Sequence, residues 1–374
     1  MQHLKKRERL RRDLYLIHTI IMQIDFESEI SHHLSNILEL QTETGLFTAS
    51  SQGVVTGYDK AWLRDVFFIV WSFYETGDYA TTQKAAKALL SIFAKHQDKI
   101  KWAIENRPYE TWQYIHARFH PETFEEFWEE WGNKQHDAVG EVLNLLVTLE
   151  LDGYGVIETD DERRVTQKII DYLYNIEYWR DPDNGIWEEN MEVHASSIGS
   201  VVAALRKAER VDWLTVPTDA IAHGEHALRA LLPRESVTKF SDLALLTLMY
   251  PFAVTTPEED REILRNVEYH LTRDKGVIRY KLDRYYNKNE DGYSEEAEWC
   301  FGLSWLTIIY AERGDKERAW HYLERARSCV TKDGYVPELY YSHTADPNEN
   351  TPLGWAESMY VIALEKVRRL ESGA

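Results

Sequence analysis

Two glutamates stand where a short turn would hold a carboxylate still. Glu188 lies in Asp183-Asn184-Gly185-Ile186-Trp187-Glu188-Glu189-Asn190, and Glu338 follows proline in Gly334-Tyr335-Val336-Pro337-Glu338. A carboxyl on a tight turn beside an indole tends to stay protonated, because burial disfavours its charged form. Pro337 fixes the backbone so that Glu338 projects from a defined position. Such a pair, one protonated and one ionised, can do general acid and general base work on a glycosidic bond. Glu189, and less so Glu192, stand as alternatives to Glu188 as the acid. Capping or plain surface exposure would equally account for any of these residues taken singly.

Other polar and aromatic residues fall in short motifs around them. Ala61-Trp62-Leu63-Arg64-Asp65 offers a guanidinium fork and an acceptor for hydroxyl groups. The bland reading of that pair is an ion pair at a helix start. Trp128, Trp131, Asn133 and Gln135 would suit a sugar-binding wall, while Asp137 could simply cap the helix after it. Arg279, with Arg284 as a rival, could hold a hydroxyl-rich ligand. The chain carries 13 Trp and 22 Tyr, whose faces stack on sugar C–H surfaces and whose edges form hydrogen bonds.

The elements that position these residues are helical throughout, with almost no strand alternation. Periodicity predicts twelve helices, at about 26–40, 62–74, 79–104, 137–151, 160–178, 195–208, 217–232, 241–250, 258–271, 295–311, 316–330 and 352–370. Even-to-odd connections are short, around Gly77, Gly153, Pro251 and Gly314. Odd-to-even connections are mostly long and rich in Trp, Tyr, Asp and Glu. In a closed ring of antiparallel pairs those long connections share one mouth, and long loops are usually functional. The expected fold is therefore all-α, an (α/α)6 barrel of six hairpins. It would form a single catalytic domain over 26–374, preceded by a basic helical extension over 1–25. No fixed repeat period favours an open array instead.

Composition narrows the partners. A net charge of −20 repels phosphate backbones and anionic membranes, so nucleic acid and membrane are not expected partners. The apolar stretch at 14–24 is too short to span a bilayer and has no cleavage site after it, so the expected location is cytoplasmic. Cys300 and Cys329 have neither zinc-ligand spacing nor a disulfide framework, and Cys300 reads as a buried thiol. No metal or cofactor is expected, and oligomeric state is not legible.

Taken in order, Ala61-Trp62-Leu63-Arg64-Asp65, Gln135-His136-Asp137-Ala138-Val139-Gly140, Asn184-Gly185-Ile186-Trp187-Glu188, Arg279-Tyr280, Pro337-Glu338 and Pro352-Leu353-Gly354-Trp355 resemble glycoside hydrolase family fifteen. That family comprises glucoamylases, glucodextranases and trehalases; the catalytic-like region of phosphorylase kinase regulatory subunits is similar too. The resemblance covers nearly the whole chain from position 26. It implies an inverting, exo-acting α-glucosidase working on short α-glucans or oligosaccharides and releasing β-glucose. Glu188 would be the general acid and Glu338 the general base, about 6.5–9.5 Å apart to leave room for the attacking water. Arg64 and Asp65 would grip the terminal glucose with help from Arg279 and Glu189. Trp62, Trp131 and Trp187 would line the pocket, with Asp137 and Trp355 completing the substrate-contacting set. The indole beside Glu188 and a wetter setting for Glu338 would separate their pKa values. Trehalase or glucodextranase specificity, or a catalytically silent carbohydrate-sensing module, are the alternatives on the same fold. A sugar epimerase of the same architecture would instead want catalytic histidines, for which His136 and His343 are the rim candidates.

Overall fold

Helix starts divide the chain into two kinds of element. Five helices open with a side-chain cap from Asp25, Asp78, Thr159, Thr256 or Asp315, each accepting a backbone N–H of its first turn. Five others, beginning after Trp62, Gln135, His194, Cys300 and Leu353, have no such cap. In three of them the first N–H meets a backbone carbonyl of another loop: Leu63 N donates to Ala117 O (2.9 Å), Ala195 N to Glu235 O (2.8 Å) and Gly354 N to Ala49 O (2.8 Å); His136 N donates to Asp183 Oδ2 (2.7 Å). The capped helices are partly solvated and these five are internal, while the helices at Gln97–Glu105 and Ala220–Leu231 are uncapped and partly solvated.

The computed structural model describes residues 24–373 except 52–55, 128, 130 and 288–294. In chain order the α-helices are α1 Phe26–Leu38, α2 Leu63–Thr76, α3 Tyr79–Lys95, α4 Gln97–Glu105, α5 His136–Leu151, α6 Asp160–Asn175, α7 Ala195–Ala208, α8 Ala220–Leu231, α9 Pro257–His270, α10 Phe301–Glu312, α11 Lys316–Arg327 and α12 Gly354–Ser372. A 3-10 helix, Leu243–Leu248, takes the place of one inner helix. Neighbour follows neighbour around an inner ring of α2, α5, α7, the 3-10 helix, α10 and α12, which packs back on α2. Inner helices are buried on every side, as in α10, where every residue from 301 to 311 is buried. Outer helices bury one stripe, such as Ile263, Leu264 and Val267 of α9. The fold is an (α/α)6 barrel.

Several boundaries differ from the sequence expectation. The predicted third helix breaks at His96, whose backbone leaves the helical region and whose Nε2 bonds Phe124 O at 2.7 Å. The predicted tenth helix begins at Phe301, six residues late, because Glu298–Trp299 (β3) pairs antiparallel with Leu339–Tyr340 (β4). A matching ladder joins Ala61–Trp62 (β1) to Arg118–Phe119 (β2). Both two-residue ladders sit just before an inner helix and fasten a long rim connection over it. At the opposite mouth the turns are tight, as at Gly77, which ends α2 with φ +80°. All but the last two residues of the expected basic extension lie outside the described residues, as does Trp128. Cys300 and Cys329 are both buried.

Candidate active site

The inner helix starts and the long connections enclose a cavity of about 690 Å³ at one mouth of the barrel. Glu188 and Glu338 both line it, together with Trp62, Trp131, Trp187 and Trp355. A volume of this order suits a small oligosaccharide segment.

Glu188 is delivered by a turn that its neighbours clamp on both sides. Asp183 and Glu192 exchange backbone hydrogen bonds at its base, and Asn184 Nδ2 donates to Glu189 O at 2.5 Å. Glu188 itself has φ +62°, a left-handed conformation that a residue with a Cβ adopts only when its surroundings enforce it. Gly132 packs so close that a Cβ there would lie 2.7 Å from Glu188 O. The Glu188 side chain is 24% exposed, and its Oε1 accepts from Arg64 Nη2 at 2.8 Å. Burial pushes its pKa up to about 8; the Arg64 charge opposes this, and the Asp65 charge reinforces it.

Glu338 stands immediately before β4, 1% exposed. Its Oε1 accepts from Tyr58 Oη (2.9 Å), and its Oε2 from Asn348 Nδ2 (2.5 Å) and Asn350 Nδ2 (2.7 Å). Burial raises its pKa, while the Asn350, Asn348 and Tyr58 donors favour the ionised form. The expected wetter setting is thus corrected: Glu338 is the more buried of the two. Neutral donors, rather than water, support its charge. After burial, the largest influences raising the Tyr58 pKa include both Glu338 and Glu188, so this phenol lies within electrostatic reach of each carboxyl.

Arg64 is buried on the first turn of α2, with Nη1 donating to Asp137 Oδ2 (2.6 Å) and Gln135 Oε1 (3.0 Å). Asp65, beside it, lines the cavity, and burial raises its pKa to about 7 against the pull of Arg64. Asp137 does not line the cavity, contrary to its expected contact with substrate. It is 1% exposed, lies within α5 rather than capping it, and orients Arg64. Asn133 and Gln135 likewise stand outside the cavity wall, Gln135 being spent on Arg64 and on Gly132 O.

Glu189 lines the cavity but is fully engaged by Arg279, Lys239 and Tyr280. Burial raises its pKa, but Arg279 and Lys239 outweigh that and hold it below the usual range, which disfavours it as a proton donor. Glu192 bonds Thr238 and lies off the cavity lining. Arg279 binds Asp283 through two hydrogen bonds (2.6 and 2.7 Å) and packs over Trp187, Tyr285 and Trp299. Arg284 also lines the cavity and is exposed. His136 is buried against Asp181 (2.9 Å) and His343 pairs with Glu295 on the surface; neither lines the cavity. Tyr58, Tyr285, Asn348 and Asn350 were not assigned roles from sequence. Tyr58 and the two asparagines are held by contacts 280, 10 and 12 residues from their glutamate, and no local spacing marks them.

Comparison with known proteins agrees with the barrel fold. The sequence pattern of glycosyl hydrolases family 15 matches residues 31–227, more than half of the chain. The chain is 32% identical over 284 residues to a probable phosphorylase b kinase regulatory subunit alpha of Caenorhabditis elegans, covering 62% of this chain and 23% of that protein. It is 22% identical over 336 residues to a trehalase of Mycobacterium tuberculosis, covering 79% and 46%. The chain therefore spans less than half the length of these curated relatives. Among solved structures, a wild-type glycosidase superposes with a TM-score of 0.78 at 20% identity, over 92% of this chain and 97% of its own. The glucoamylase of Hormoconis resinae gives 0.71 at 13%, over 92% and 73%.

Proposed function

This chain belongs to glycosyl hydrolases family 15, and from that premise we propose that it is an inverting, exo-acting α-glucosidase. The observation that carries the reading is one cavity lined by two largely buried carboxyls with different partners. Glu188 is pushed up to about 8 by burial, and Glu338 accepts three neutral hydrogen bonds.

In this reading a terminal glucose enters the cavity and Glu188 protonates the glycosidic oxygen. Arg64 occupies Oε1, leaving Oε2 to carry the proton. Once the proton has gone, the same Arg64 contact stabilises the carboxylate left behind. Glu338 takes a proton from a water on the other face of the ring, and that water adds to the anomeric carbon as the leaving oxygen departs. The product is β-glucose and a chain one unit shorter. Asp65 accepts hydroxyls of the bound sugar, and Arg279 with Glu189 shapes the wall between them. Trp62, Trp131, Trp187 and Trp355 supply stacking faces.

A glucan-sensing module that does not hydrolyse is the second reading, favoured by the likeness to phosphorylase kinase regulatory subunits. A panel of maltose, isomaltose, trehalose, maltodextrin and dextran separates the two, because only the hydrolase releases glucose. Glu188→Gln and Glu338→Gln are each expected to lower the rate by about two to four orders of magnitude. Full activity in both variants would remove the assignment.

A further inference from the structure

On the far side of the Trp131 wall lies a second cavity of about 760 Å³, between α4 and the connection that follows it. Trp102 and Trp112 line it and remain 38% and 68% exposed, two indoles left in solvent at one opening. Phe127 adds a third aromatic surface and Asn133 an amide.

His116 forms part of the inner wall. It lines this cavity and is 4% exposed. Its Nδ1 accepts from Arg118 N at 2.9 Å. Burial, with the Arg118 and Lys99 charges, lowers its pKa to about 3, so the ring is neutral and Nε2 carries the hydrogen. Among the described residues that Nε2 has no hydrogen-bond partner. That nitrogen is also closed off from solvent, so His116 enters the cavity wall as a neutral ring and not as a donor to whatever fills the cavity.

The charges around the opening are already matched. Glu126 pairs with Lys99, Glu129 with Arg118 and Glu125 with Lys95, while the Glu110 side chain belongs to a capping box with Gln113. Spare lone pairs on these carboxylates accept hydroxyls, and the −20 charge of the chain disfavours anions. Flat aromatic faces and matched carboxylates together suit a neutral, hydroxyl-rich ring.

We propose that this second cavity binds an internal stretch of an α-glucan, with Trp112 and Trp102 as stacking faces and the carboxylates at its opening accepting hydroxyls. The choice of an α-linked glucan rests on the hydrolase reading of the first cavity. The two sites share a wall, since His116 stacks on Trp131 (6.0 Å between ring centres) and Arg118 lies 4.6 Å over the same indole. A long chain held here would be retained near the catalytic mouth.

The test uses β-cyclodextrin, a closed ring of glucose with no chain end to enter the first cavity. Calorimetric titration of the full chain is expected to show binding, weakened about tenfold or more by Trp102→Ala combined with Trp112→Ala. Trp112→Phe, which keeps a flat face, is expected to restore most of it. In the double variant kcat/KM for maltose stays unchanged while KM for long maltodextrin rises. No cyclodextrin binding by the wild-type chain, or equal binding by the double variant, overturns the proposal. Tryptophan-dependent cyclodextrin binding in a chain that hydrolyses no glucoside would sink the hydrolase reading and leave the second site standing.

Discussion

At Glu188 two influences oppose each other on one carboxyl, and their balance sets the pH at which the proposed acid would work. Burial favours the neutral form and Arg64 the charged form, and burial prevails, with the pKa at about 8. The acid is protonated below that value, so kcat/KM should fall as pH rises through about 8. Glu338 must be ionised, and its pKa lies above the ordinary 4.5, so the other limb should fall as pH drops toward a value above 4.5. Asn350→Ala removes a 2.7 Å donor to the carboxylate. The base pKa then rises and the acid limb moves to higher pH, narrowing the bell in a kcat/KM profile. An acid limb that stays in place in this variant would show that Asn350 does not position or tune the base.

The helices were legible in the sequence because their apolar residues recur at helical spacing and their outer starts carry local caps. Thr159 with Glu162 and Thr256 with Glu259 form capping boxes that need only four adjacent residues. The delayed start of α10 was not legible, since β3 is fixed by pairing with β4, some forty residues away. Glu188 and Glu338 were visible as glutamates on rigid turns. The left-handed backbone of Glu188 and the burial of Glu338 were not, because both come from other connections folding over the site. Gly132 is one such remote constraint. Gly132→Ala would push a methyl group into Glu188 O and shift the whole turn. Displacement of a catalytic group by about 1 Å costs on the order of a hundredfold in rate, and kcat/KM should fall by that amount with little change in helix content. A variant with unaltered kcat/KM would mean the turn can yield without moving the carboxyl.

Across the whole molecule the ring depends on a junction between its first and last hairpins. Glu357 of α12 is fully buried and accepts from Val336 N at 2.8 Å and Asn36 Nδ2 at 3.3 Å, while its other oxygen meets His33 Nδ1 at 2.5 Å. One carboxylate thus ties α1, α12 and the segment that carries Glu338. Glu357→Ala should lower stability by about 3–5 kcal/mol in denaturant unfolding, since it leaves the buried donors without a partner. A loss well under 1 kcal/mol would mean that water replaces the carboxylate there. Ring closure matters to chemistry because it brings position 188, from the middle of the chain, to the same cavity as position 338, near its end. Inversion at the anomeric carbon is what the proposed acid and base would produce by acting from opposite faces of one sugar. Proton NMR of the first glucose released from maltose should show the β anomer, converting to the equilibrium mixture only afterwards. The α anomer appearing first would contradict the proposed mechanism.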